Sequence, residues 1–190
     1  MQSDSELLME ETSILGFSSF ALPIFTDNRG EFRTWFVAQN TNTDLSDFVV
    51  MQSNLSTSVR GVIRGIHFSD ATYEQTKIVT CISGIIRDYA IDLRTRSKTF
   101  GMHDSVELSE KNGRTAVLRH GLGHAFEVLS ETATIVYLLS SHWNPSEEFT
   151  INPFDSELAI PWLTQNPIVS DRDREANSFK YFRKSGNLLN

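Results

Sequence analysis

A single cysteine, five prolines and no long apolar run remove several architectures from consideration at once. Cys81 has no partner for an internal bridge, so a disulfide-stapled scaffold is excluded and a reducing compartment fits. It sits in the apolar stretch Lys77 to Ile82 and reads as core. No stretch approaches the roughly 20 apolar residues that cross a bilayer. Met1 to Thr12 is polar and acidic, unlike a secretory or transit peptide, so the expected setting is the cytoplasm, with no membrane partner. Basic residues are outnumbered 17 to 24 and are scattered. A nucleic-acid surface needs them clustered to displace counterions from phosphates, so none is expected. A few arginines converging in a pocket can still hold a small anion, because the local field outweighs net charge.

Sequence motifs for common cofactors are also missing. There is no G-x-G-x-x-G, no Walker loop and no G-x-S-x-G, which leaves nicotinamide, nucleotide-hydrolysing and serine-hydrolase readings without support. Phe68 and Ser69 follow His67, so the His-x-His pair of metal-binding barrels is absent; His67, Glu74 and His124 form only a poor residual ligand set. Repeats, low-complexity tracts and Pro/Gly-rich linkers are lacking, and 190 residues read as a single domain over 1–190, with 1–14 a flexible N-terminal extension.

What the chain does contain is a succession of short apolar runs rich in Val, Ile, Phe and Thr. They span 48–54, 61–68, 75–82, 85–93, 104–108, 115–118, 125–129 and 134–139. Turn signals such as Ser83-Gly84, Asn112-Gly113 and Gly121-Leu122-Gly123 punctuate them. Helical periodicity is confined to the tail around 170–184. The pattern predicts an all-β jelly-roll barrel of antiparallel strands with a short C-terminal helical segment. Along 85–93, alternation puts Ile86, Asp88, Ala90 and Asp92 on one face and Arg87, Tyr89, Ile91 and Leu93 on the other.

Several polar groups interrupt these apolar runs, a placement that is costly without partners. Arg64 and His67 flank Gly65 in Arg60-Gly-Val-Ile-Arg-Gly-Ile-His-Phe68, and a glycine inside a strand marks a bulge or a close backbone approach. Lys77, His124 and Tyr137 occupy similar settings. Each has an ordinary alternative: a satisfied core histidine, a snorkelling lysine, a buried tyrosine with one backbone partner. Together, His, Lys, Asp and Tyr on different strands are the ingredients for proton abstraction next to a carbonyl.

The chain resembles the dTDP-4-dehydrorhamnose 3,5-epimerase family, a cupin group, nearly end to end. The likeness rests on an ordered set: Phe25-Thr-Asp-Asn-Arg-Gly-Glu-Phe32, Gln52-Ser-Asn-Leu-Ser56, Gly61-Val-Ile-Arg-Gly-Ile-His-Phe68 and Gln75-Thr-Lys-Ile-Val79. It continues through Asp92-Leu-Arg94, Thr99-Phe-Gly101, Gly123-His-Ala-Phe126 and Ser170-Asp-Arg-Asp173. The resemblance implies a cofactor-free isomerase acting on a dTDP-linked 4-keto-6-deoxysugar. It makes His67 the base, Asp173 its orienting carboxylate, Tyr137 the acid on the opposite sugar face and Lys77 the cation that steadies the enolate. Arg29 and Arg64 would grip the pyrophosphate. Gln52, Asn54, His124, Glu148 and Arg172 would line the remainder, with Asp88 close to Lys77, and a homodimer would form by lending N-terminal strands.

Two departures stand out. Thr34 occupies a position where the family commonly has glutamate, and Trp143 occupies that of a tyrosine that stacks on thymine; the indole keeps a π face for the base. These departures leave open a nucleotide-sugar-binding cupin that has lost activity. Relatives that invert only C3 or only C5 keep the reaction centre open, and a metal-dependent cupin is a third class.

Overall fold

The computed structural model describes residues 9–37, 45–69 and 74–188. Two antiparallel sheets face one another. One has the strand order β1-β2-β10-β7-β12-β5, the other β13-β6-β11-β8-β9. The first comprises β1 (Glu10–Glu11), β2 (Phe17–Ala21), β10 (Arg114–Leu118), β7 (Lys77–Ser83), β12 (Thr132–Leu139) and β5 (Gln52–Val59). The second comprises β13 (Glu148–Thr150), β6 (Ile63–Ser69), β11 (Leu122–Val128), β8 (Ile85–Asp92) and β9 (His103–Ser109). A separate hairpin joins β3 (Ile24–Asp27) to β4 (Gly30–Arg33). This is the cupin jelly roll that the strand pattern and the resemblance lead one to expect.

Alternation explains which side chains meet. The interior between the sheets takes Val79, Cys81, Ile86, Ala90, Phe126 and Ile135, all buried. The other face of β8 and β6 supplies Tyr89, Ile91, Ile66 and Phe68 to a second cluster. Ile151, Leu158, Phe179 and Phe182 of the C-terminal segment close over that cluster, which is why β11 is buried on both faces. A third cluster, Phe20, Leu45, Phe48, Ile78, Val117 and Leu138, covers the far face of the first sheet. Among the described residues, no helix is long and apolar enough to cross a membrane.

The eight expected runs all carry strands, with shifted ends. The largest shift is in the run at 48–54: Phe48 is a core anchor ahead of the strand, and pairing with β12 begins at Gln52. Five further short strands, β1 to β4 and β13, lie outside the expected runs. The helical tail is two helices, α1 (Asp171–Arg174) and α2 (Phe179–Ser185). Ser170 and Ser178 each cap one by accepting from the amide three residues on.

The flexible extension expected over 1–14 requires correction where it falls on described residues. Glu10 and Glu11 pair with Ser19 and Ser18, and Ile14 is fully buried in the interior cluster. An isoleucine with no exposed surface holds that segment down through apolar burial worth about 2 kcal/mol. Residues 1–8 lie outside the described residues.

Candidate active site

Between the sheets opens a cavity of about 410 Å³, of the size that holds small organic ligands. His67 reaches it because its neighbours on β6, Ile66 and Phe68, are drawn into the outer cluster, which turns the imidazole inward. Asp173 comes from α1. Its Oδ1 lies 2.8 Å from His67 Nε2, and its Oδ2 accepts from the Gly65 amide at 3.3 Å. Burial pushes the Asp173 carboxyl up, but the His67 hydrogen bond and charge and the Gly65 and Ser170 contacts together hold it below the usual carboxylate value. The ionised carboxylate therefore accepts a hydrogen bond from the Nε2–H of His67, which leaves Nδ1 as the basic nitrogen.

Gly65 makes this arrangement possible. Its φ is +121°, and a Cβ there would sit 2.6 Å from both the His124 carbonyl oxygen and Ala125 Cβ. The β6–β11 register shifts at this point, between His124 and Phe126, so the glycine marks both a bulge and a close backbone approach. A second imidazole–carboxylate pair stands beside the first. His124 is the cross-strand partner of His67, and its Nε2 lies 2.7 Å from Asp88 Oδ1 with both residues buried.

The opposite sheet supplies Lys77 at the start of β7 and Tyr137 on β12. Burial pushes the Lys77 ammonium down from its ordinary value, only partly opposed by the Glu148 and Asp88 carboxylates. Burial and the Glu148 charge push the Tyr137 phenol up, against the opposing influence of the Asn54 amide and the Arg64 charge. Both shifts favour neutral forms, as expected for groups shielded from water. Glu148 behaves differently. Burial raises it, but the Trp143 indole N–H at 2.7 Å, Lys77, His67 and Arg172 outweigh that and keep it ionised.

The rim is polar and ordered. Arg172 lies 3.3 Å from Glu148, Arg64 Nε donates to Ser58 at 3.1 Å, and the Trp143 amide donates to Gln52 Oε1 at 2.8 Å. Three cations, Arg64, Lys77 and Arg172, thus converge on one cavity in a chain of net charge −7. Such a site attracts an anionic ligand in spite of the overall charge.

Of the thirteen residues singled out in the sequence, ten line this cavity: His67, Lys77, Tyr137, Gln52, Asn54, Arg64, His124, Trp143, Glu148 and Arg172. Asp173 and Asp88 stand directly behind the two histidines. Arg29 is the exception and does not line this cavity. It lies in the β3–β4 turn, its side chain 86% exposed and paired with Asp27 at 2.6 Å. A two-residue turn at the tip of a separate hairpin keeps it away from the space between the sheets.

Leu55, Ser56, Gln75, Phe126 and Leu139 also line the cavity without having been singled out. Ser56 is the signal that could have been read, two residues beyond Asn54 on the same strand face. Asp92, placed on the same face as Asp88, instead binds Arg94, Ser97 and Thr99 at the end of its strand and holds a loop. The residual metal set is not assembled: Glu74 is exposed and does not line the cavity that His67 and His124 share. Among the described residues, no three His, Cys, Asp or Glu side chains converge as a metal site would need.

Comparison with known proteins adds an independent view. Residues 11–181 match the family model described as dTDP-4-dehydrorhamnose 3,5-epimerase. A dTDP-4-dehydrorhamnose 3,5-epimerase of Mycolicibacterium smegmatis is 38% identical over 179 residues, which cover 94% of this chain and 89% of that protein. A dTDP-4-dehydrorhamnose 3-epimerase of Streptomyces niveus is 39% identical over 163 residues, 85% of this chain and 79% of the relative. Among solved structures, a 4-keto-6-deoxy sugar epimerase from the novobiocin gene cluster of Streptomyces spheroides superimposes with a TM-score of 0.92 at 35% identity. That match covers 100% of this chain and 96% of the other. An epimerase of Legionella pneumophila, solved in complex with dTDP-4-keto-L-rhamnose, gives 0.89 at 31% identity, covering 96% and 97%.

Proposed function

The chain belongs to the dTDP-4-dehydrorhamnose 3,5-epimerase family and is an epimerase, and from that premise we propose that it inverts C3, C5 or both of a dTDP-linked 4-keto-6-deoxyhexose. The observation that carries this reading is the placement of His67 and Tyr137 on opposite sheets of one cavity, with Lys77 beside Tyr137.

The C4 ketone acidifies the hydrogens on C3 and C5. His67, polarised by Asp173, removes one of them through its free ring nitrogen and becomes an imidazolium. The electron pair moves into an enolate whose oxygen gains charge, and the Lys77 ammonium steadies it. Tyr137 then gives its proton to the same carbon from the other face, which leaves a phenolate and an inverted centre. Exchange with water removes the proton from His67 and returns one to Tyr137, so the enzyme is restored with no net redox change. Arg64 and Arg172 bind the diphosphate, as forked guanidiniums suit, and the exposed face of Trp143 stacks on the thymine.

The proposed assembly is a homodimer in which the β3–β4 hairpin of one copy reaches the cavity of the other and brings Arg29 to the diphosphate. Its support is the hairpin itself: Phe25 and Phe32 are 57% and 68% exposed beside Arg29, an expense for a free surface. The proposed setting is the cytoplasm, where the buried Cys81 thiol stays reduced.

Incubation with dTDP-4-keto-6-deoxyglucose in heavy water tests the reaction. Deuterium is expected at C3, C5 or both, and the labelled carbon names the centre. Absence of label from this and related 4-keto sugars would overturn the proposal.

A further inference from the structure

Four polar residues share one face of β5. Gln52, Asn54 and Ser56 line the cavity, and Ser58, two residues further on, is buried beside its cross-strand neighbour Ala133 of the interior cluster. A hydroxyl in such surroundings needs a partner. It finds one on the facing sheet, where Arg64 Nε donates to Ser58 Oγ at 3.1 Å. Arg64 and His67 both line the cavity, although residues three apart on a regular strand face opposite ways. The bulge resolves this: their partners on β11, Phe126 and His124, are two apart and share a face. Arg64 is thereby turned inward, within reach of Ser58.

The nature of that partner sets Arg64 apart from the other arginines of the proposed site. Arg29 and Arg172 each lean on a carboxylate, Asp27 at 2.6 Å and Glu148 at 3.3 Å. Among the described residues, Arg64 forms no ion pair, and what holds its guanidinium is a neutral hydroxyl. We infer that Ser58 is a positioning residue for Arg64: it draws the Nε edge of the guanidinium toward β5, so that Nη1 and Nη2 form the edge offered to the diphosphate. A carboxylate in that place would fix the direction but neutralise the charge. With no partner the long side chain would keep its rotamer freedom and lose it on binding. The hydroxyl fixes the direction and leaves the charge whole, and the two Nη groups then meet phosphate oxygens as a fork. The inference rests on the reading of Arg64 as a ligand of the diphosphate and names the residue that aims it.

Ser58→Ala removes the acceptor and little volume. Calorimetric titration with dTDP should show an affinity about tenfold lower. With dTDP-4-keto-6-deoxyglucose, KM should rise by about the same factor while kcat changes less than about twofold, because His67 and Tyr137 are untouched. A double-mutant cycle separates positioning from packing. Methionine has no guanidinium for Ser58 to hold, so beside Arg64→Met the change Ser58→Ala should alter dTDP affinity less than about twofold. If Ser58→Ala fails to fold, the unaltered protein decides by nuclear magnetic resonance. The Arg64 Nε–H resonance, identified by its absence from Arg64→Met, should exchange slowly with water, as a bonded proton does. Unchanged dTDP affinity in Ser58→Ala, a loss that persists in full beside Arg64→Met, a loss confined to kcat, or rapid exchange of the Arg64 Nε–H would overturn the positioning role and leave the epimerase reading intact. An unaltered protein that neither binds dTDP nor exchanges substrate hydrogen would overturn both.

Discussion

Replacing His67 by alanine removes the only proposed base that Asp173 backs, so deuterium exchange should stop at every carbon, a fall of about 10²-fold to 10⁴-fold. Tyr137→Phe should behave differently. His67 can still take a proton and return it to the same face, so label enters the substrate while inverted product becomes scarce. Equal and mild losses in the two variants would contradict the division of roles. Lys77 offers a test by pH. Burial lowers its value below the ordinary 10.5, so the ammonium is lost at lower pH than a free lysine would lose it. The rate should therefore decline on the alkaline side before pH 10.5 is reached, and Lys77→Met should cost about 10²-fold to 10³-fold in kcat, as for removal of an oxyanion donor. A plateau extending past pH 10.5 would show that the cation is not needed. At this scale the sequence was unusually legible. His67, Lys77, Tyr137 and His124 each interrupt an apolar strand, and a polar group in such a place demands partners. Their partners were less legible by pattern: Asp173 lies 106 residues beyond His67, and only the family resemblance joined them.

Strand β6 shows how an element fixes the chemistry it carries. Ile66 and Phe68 lock one face into the outer cluster, the bulge at Gly65 resets the register, and His67 is left pointing at the cavity. Gly65→Ala forces a side chain against the His124 carbonyl and Ala125 at a φ of +121°, and the listening groups are both functional: His124 and the Asp173 carboxylate that the Gly65 amide holds. The expected outcome is a loss of about 1–3 kcal/mol from backbone strain alone, with a larger loss of turnover than the stability change accounts for. Thermal unfolding and steady-state kinetics on the same preparation check it; an alanine variant with unchanged melting and rate would refute the strain argument. The isolated glycine was readable as a bulge, because glycine in a strand is otherwise unfavourable. The split of the C-terminal helix was not. Ser178 caps α2 as Ser170 caps α1, and two serines eight residues apart look like exposed helix positions until the pairing of Asn177 with Ile151 is known.

For the molecule as a whole, the two sheets bring eight of the thirteen expected residues to one cavity, a convergence that follows from alternation once the strands are known, and Trp143 from a loop and Arg172 from α1 join them. Arg29 breaks the pattern for a reason that no single-chain argument supplies. Its hairpin belongs to neither sheet, and it presents Phe25 and Phe32 to solvent near an arginine that pairs with Asp27. If the proposed dimer forms, those phenylalanines are covered by the second copy and the guanidinium exchanges Asp27 for a diphosphate. Sedimentation equilibrium should then report a mass of about twice the 21.5 kDa chain. Phe32→Asp should shift it toward the monomer, and turnover should fall with dilution through the same concentration range. Arg29→Ala should leave the dimer intact yet raise KM about tenfold or more, the cost of one charge-assisted contact to phosphate. A monomer with full activity, or an Arg29→Ala enzyme with unchanged KM, would confine the site to the cavity of one chain.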